Sequence, residues 1–114
     1  MTSDARHRAL TFLLGEHQLT AAEADEALAV AAAVLNTGLS RLISQAEAEN
    51  PAPCAEAGHS LKGNLLNLGL PELAHTAQHA SEMARQGNLT AAKAAGQTLA
   101  LALAPLLPGS KPAS

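Results

Sequence analysis

An imidazole, an ammonium group and a residue without a side chain recur at helical spacing in His59-Ser60-Leu61-Lys62-Gly63-Asn64-Leu65-Leu66-Asn67-Leu68-Gly69. At about 100° per residue, Leu61, Leu65 and Leu68 share one face of a helix, joined upstream by Cys54 and Ala57. His59 points roughly 180–240° away from those leucines, so it is expected to face outward while the stripe faces the core. Lys62, Gly63 and Leu66 follow at i+3, i+4 and i+7, the neighbours of His59 on its own face. A solvent-facing imidazole, whose ordinary pKa is about 6.5, is a usable nucleophile near neutral pH. Lys62 would offset the charge of an anion arriving at that ring. Gly63 costs roughly 1 kcal/mol of helix propensity against alanine. In a chain that uses alanine freely elsewhere, that cost points to a clearing for a partner. Together these residues describe a receiver of phosphoryl groups.

Positioning such a strip falls to the helices around it. Asp4 is expected to cap a short helix to about Glu16, with Ala9, Phe12 and Leu13 on its apolar side. Thr20 followed by Glu23 reads as a capping box that opens a long helix to about Glu49. Its buried stripe is Leu28, Ala31/Ala32, Leu35, Leu39, Leu42 and Ala46, with a bend expected at Asn36-Thr37-Gly38. At 1.5 Å per residue it would span roughly 45 Å, and Glu47 and Glu49 oppose the macrodipole at its end. Asn50 is expected to cap, and Pro51 to open, the helix that carries His59 and stops near Asn67. Gly69 suits a left-handed C-cap and Pro71 opens the next helix, which runs to about Gln86 before Gly87-Asn88. A last helix is expected from Thr90 to Leu103, ended by Pro105 and Pro108. Short connections imply antiparallel neighbours. The fold class is therefore all-α: an antiparallel up-down-up-down four-helix bundle with a short additional N-terminal helix. Residues 1–108 would form one domain and 109–114 a flexible tail.

His59, Lys62, Gly63, Leu68 and Gly69 resemble the H-x-x-K-G-x-x-x-x-L-G signature of histidine phosphotransfer (HPt) domains of two-component phosphorelays. The likeness continues through Leu73, an alanine-rich helix, Arg85 and Gly87-Asn88, about thirty residues in all. Two positions depart from the family pattern: Asn64 stands where serine is common and Leu66 where a small residue is usual. The resemblance implies that His59 takes a phosphoryl group from a receiver-domain aspartate and passes it to another. It further implies phosphorylation at Nε2 with Nδ1 held by a hydrogen bond, for which Gln78 and Ser81 on the following helix are the candidates. Lys62 would stabilise the phosphoryl charge, Gly63 would admit the partner's loops, and Leu66 would join the docking surface. The implied partners are response-regulator receiver domains and hybrid sensor histidine kinases. No cofactor of its own is implied, and Mg2+ is expected on the receiver, because this chain has no acidic cluster to hold it. The chain would be a carrier more than an enzyme. The alternative is a non-phosphorylated interaction bundle that binds a receiver or kinase and sequesters it.

Composition narrows the remaining classes. Of 114 residues, 47% are hydrophobic but Phe12 is the one aromatic, a balance that favours packed helices over a sheet. The net charge of −3, with scattered basic residues and no Tyr or Trp, argues against a nucleic-acid partner. The uninterrupted apolar runs Ala27–Leu35 and Leu99–Leu107 fall short of the roughly 20 residues that span a bilayer, and no signal-peptide pattern opens the chain. Cytoplasmic residence without a membrane partner is the expectation. The single cysteine allows no intrachain disulfide, and Cys54 reads as a small core residue. His75 and His79 have zinc-compatible i, i+4 spacing but no third ligand beside them. His7 and His17 read as surface residues. Glu56, Glu72 and Glu82 read as solvated carboxylates, and no glycine-rich phosphate loop is present.

Overall fold

The computed structural model describes residues 4–107. It contains five helices: α1 (Ala5–Glu16), α2 (Ala21–Glu47), α3 (Pro51–Leu66), α4 (Pro71–Arg85) and α5 (Leu89–Leu103). No strand occurs among the described residues, so the chain is all-α. The expected tail, 109–114, lies outside them.

Three of the helices begin where side chains can satisfy free backbone donors. Asp4 accepts from the His7 N–H at 2.8 Å. Thr20 and Glu23 form the reciprocal capping box at the start of α2. Asn88 accepts from the Ala91 N–H, so α5 starts at Leu89, one residue ahead of the expected Thr90. Asn50 departs from expectation: its side chain donates to Gln45 Oε1 at 2.9 Å instead of capping α3, and Pro51 opens that helix without it.

The ends of α2, α3 and α4 share one device. Asn50 N–H donates to Gln45 O, Leu70 N–H to Leu65 O and Asn88 N–H to Met83 O, at 2.8–3.0 Å, closing each helix through a left-handed residue. Glycine fills that position at Gly69 (φ 71°) and Gly87 (φ 80°), but Glu49 (φ 61°) fills it after α2. The expected fraying of α2 is therefore replaced by an ordered turn, and the helix stops at Glu47.

Helix α2 packs against α3 and α5, and α4 packs against α3 and α5, so these four helices form a closed ring of neighbours. Alanine and leucine fill it. Leu28, Leu35 and Leu42 from α2, Leu61 and Leu65 from α3, Ala77, Ala80 and Ala84 from α4, and Leu99 and Leu103 from α5 are all buried. At 27 residues α2 is about 40 Å long, comparable with the longest dimension of the molecule, 43 Å. The bend expected at Asn36-Thr37-Gly38 is absent as a break, since α2 runs through it as one helix. Gly38 makes room for Leu61: a Cβ there would lie 2.9 Å from the leucine Cδ2. The single short helix α1 closes the end where α3 turns into α4. Phe12 rests where a Cβ on Gly69 would stand, and Arg8 pairs with Glu72.

By length and composition alone, α2 is apolar enough to cross a membrane, its mean hydropathy reaching 1.5 over an 18-residue window. Counting uninterrupted apolar runs does not register this, because the neutral polar residues Asn36 and Thr37 break the run although α2 carries no charge from Ala27 to Ser40. Its Leu stripe is spent on α3 and α5, while Val30 (66% exposed) and Val34 (47%) face out.

Candidate functional site

The approach of α4 to α3 sets the site. Gly58, immediately before His59, faces the α4 backbone: an added Cβ would stand 3.0 Å from Ser81 N and 3.1 Å from Ala77 O. Only small residues permit helices to come this close, and Gly58, Ala77 and Ser81 supply them. Across the same contact the Ser81 hydroxyl donates to Ala55 O at 2.9 Å. That bond accounts for a buried hydroxyl, 2% exposed, which would otherwise be costly. The N-terminal half of α3 is thus held against the C-terminal half of α4, and on its other side the Cys54 thiol contacts Leu42 O of α2 at 3.5 Å. Burial pushes the Cys54 thiol pKa up, consistent with a packed core group and not a nucleophile.

With Cys54, Ala57, Gly58, Leu61 and Leu65 turned inward, the opposite strip of α3 faces solvent. His59 and Gly63 are exposed, Lys62 is half-buried and Leu66 is 47% exposed. The four residues lie together on one face, as their spacing predicts. A Cβ on Gly63 would meet nothing within 4 Å beyond its own helix, so no packing among the described residues requires glycine there. Among the described residues, ion pairs engage Arg6, Arg8, Arg41 and Lys93, and neither Lys62 nor Arg85 has a carboxylate partner.

Beside the imidazole lies a shallow groove of about 470 Å³, lined by Arg41 of α2, Glu56, His59 and Ser60 of α3, and Arg85 of α4. Arg41 Nη2 donates to Glu56 Oε1 at 3.2 Å. A second, more apolar groove of about 390 Å³ runs between α2 and α3 past Val34, Thr37, Ser60 and Asn64.

The two candidates for holding Nδ1 have other partners. Ser81 is spent on Ala55, as above, and Gln78 Nε2 donates to Glu82 Oε2 at 3.1 Å. Among the described residues neither side chain is hydrogen-bonded to the imidazole. Ser81 joins α3 to α4, and Gln78 braces its own helix. The carboxylates also have local partners: Glu56 has Arg41, Glu72 has Arg8, and Glu82 has Gln78. His75 and His79 are exposed on α4, and His17 meets the Phe12 ring edge-on with centroids 5.5 Å apart.

Sequence reasoning overlooked Gly58 and Arg41. Gly58 carried a signal, a second glycine within one turn of the histidine and facing a small-residue stripe on the next helix. Arg41 carried none, because its place beside α3 depends on the register between helices. The chain matches no family model, no curated protein and no solved structure.

Proposed function

We propose that the chain is a histidine-containing phosphocarrier that moves phosphoryl groups between receiver-domain aspartates through His59, and that α2–α5 form an antiparallel up-down-up-down four-helix bundle with α1 across one end. In the forward step the Nε2 lone pair attacks the phosphorus of an aspartyl phosphate. The N–P bond forms as the bond from phosphorus to the aspartyl oxygen breaks, and the partner keeps a free carboxylate. Nδ1 retains its proton. Transfer to a second aspartate reverses these changes.

The observation that carries this reading is the exposed imidazole on a helix fixed from both sides, with an unpaired ammonium one turn away and an open glycine beside it. Phosphoryl transfer is mostly a matter of positioning and charge stabilisation, and a rigid helix offers the first while Lys62 offers the second. Leu66, exposed on the strip that carries His59, gives the partner apolar surface to dock on. Mg2+ belongs to the receiver in this scheme, and the chain has no nucleotide chemistry of its own.

The test is incubation with a panel of phosphorylated receiver domains, comparing wild type with His59→Gln. Transfer that disappears in the variant supports the carrier. Receiver binding that is equal in both proteins, without transfer to wild type, favours a sequestering bundle instead.

A further inference from the structure

We infer that Arg41 is a phosphoryl-binding residue held in reserve by Glu56, so that the Arg41–Glu56 pair sets how readily His59 accepts and keeps a phosphoryl group. This rests on the carrier reading of His59.

Glu56 lies three residues before His59, hence one turn away on the same strip of α3. A carboxylate there opposes the arrival of a phosphoryl dianion at the imidazole. Arg41 reaches across from α2 to neutralise it, with Nη2 and Oε1 3.2 Å apart and the side chains 45% and 72% exposed. The guanidinium lines the same groove as His59, Ser60 and Arg85. It has five donors in a planar fork suited to phosphate oxygens, and its recorded side-chain bond uses one of them. An ion pair this exposed is weak and exchanges readily. When His59 carries a phosphoryl group, with its charge of about −1.5 to −2, the guanidinium gains a more highly charged acceptor one helical turn from Glu56. It then bridges or leaves the carboxylate. Arg85, on the opposite wall and without a carboxylate partner, completes the positive side of the groove. Lys62 approaches along α3 itself, so cations from three helices converge on the one strip.

Opposite signs distinguish this arrangement from a merely structural ion pair. Removing Arg41 leaves Glu56 unneutralised and deprives the phosphoryl group of a partner. Removing the Glu56 carboxylate frees Arg41 and abolishes the repulsion. The probe is phosphoramidate, a small phosphoryl donor whose P–N bond breaks, releasing ammonia, as the bond to Nε2 forms, so that no cognate receiver is needed. The full chain and its Arg41→Gln, Glu56→Gln and His59→Gln variants are labelled at low ionic strength, and phosphohistidine is followed by phosphorus NMR. Both altered residues are exposed, and circular dichroism verifies the fold. Each charge at one-turn separation is worth roughly threefold to tenfold in rate. Arg41→Gln is expected to slow labelling by that factor and Glu56→Gln to accelerate it, with both differences shrinking in high salt. Labelling of His59 at unchanged rates in both variants, or changes of the same sign, would overturn the inference while leaving the carrier intact. A folded wild-type protein that takes no label at His59 overturns both.

Discussion

Replacing Gly63 with alanine separates the needs of the fold from the needs of the partner. The glycine lies inside α3, and among the described residues an added methyl would meet no atom beyond its own stretch of helix within 4 Å. The whole difference in helix propensity, about 1 kcal/mol, should therefore appear as added stability. At about 2.1 cal/mol/K of unfolding entropy per residue, that raises Tm by roughly 4 °C for a chain of this length. The same methyl projects from the exposed strip, one turn beyond His59, where, on the proposed carrier function, a docking receiver would bring its aspartyl phosphate to the imidazole. In-line transfer requires the reacting atoms about 3–3.5 Å apart, and a misplacement of about 1 Å can cost around 100-fold. Thermal melts by circular dichroism and single-turnover transfer from a phosphorylated receiver should show a protein that is more stable yet slower by roughly 10- to 100-fold. A gain in stability with an unchanged transfer rate would refute the steric role of Gly63. A loss of stability would refute the structural premise that nothing in the chain occupies that space.

Gly58→Ala should act in the opposite direction. Its methyl meets the α4 backbone at 3.0–3.1 Å, and an overpacking cost of about 1–3 kcal/mol outweighs the propensity gain of about 1 kcal/mol, so chemical denaturation should show a net loss. Glu49→Gly should stabilise by roughly 1 kcal/mol, because it relieves a left-handed non-glycine residue and removes a carboxylate from the negative end of α2; an unchanged or lower denaturation midpoint would contradict this. Burial raises the Cys54 pKa above its ordinary 9.0. The folded state therefore holds its proton longer than the unfolded state, and this contribution is complete below pH 9 and lost as pH rises through the folded value. Stability measured from pH 8 to pH 10.5 should decline, with a shallower slope in Cys54→Ala.

The helices and their inward faces were legible in the sequence because each depends on signals within a few residues. The Thr20/Glu23 capping box, Pro51 and Pro71 at first helical positions, and Gly69 and Gly87 at left-handed turns all state their local geometry. The leucines of α2 and α3 state which faces turn inward. His59, Lys62, Gly63 and Leu66 were legible as one strip for the same reason, since they belong to a single helix. What escaped depends on register between helices. Gly38 looks like a weak point in α2 until Leu61 is seen seated against it. Ser81 looks free to serve the imidazole until the close approach at Gly58 brings its hydroxyl to Ala55 O. Glu49 offers no hint of positive φ, since glycine or asparagine would ordinarily stand there. Arg41 is eighteen residues from His59 in the chain, a separation from which no periodicity places it beside Glu56.

The most direct measurement is the location of the phosphoryl group after incubation with a phosphorylated receiver, read by mass spectrometry under alkaline conditions that preserve phosphohistidine. The expected result is a single modified residue, His59, whose label is acid-labile and returns to a receiver aspartate on addition of fresh unphosphorylated domain. A label on His75, His79 or another residue, with His59 unmodified in folded protein, would contradict the assignment of this strip as the carrier site.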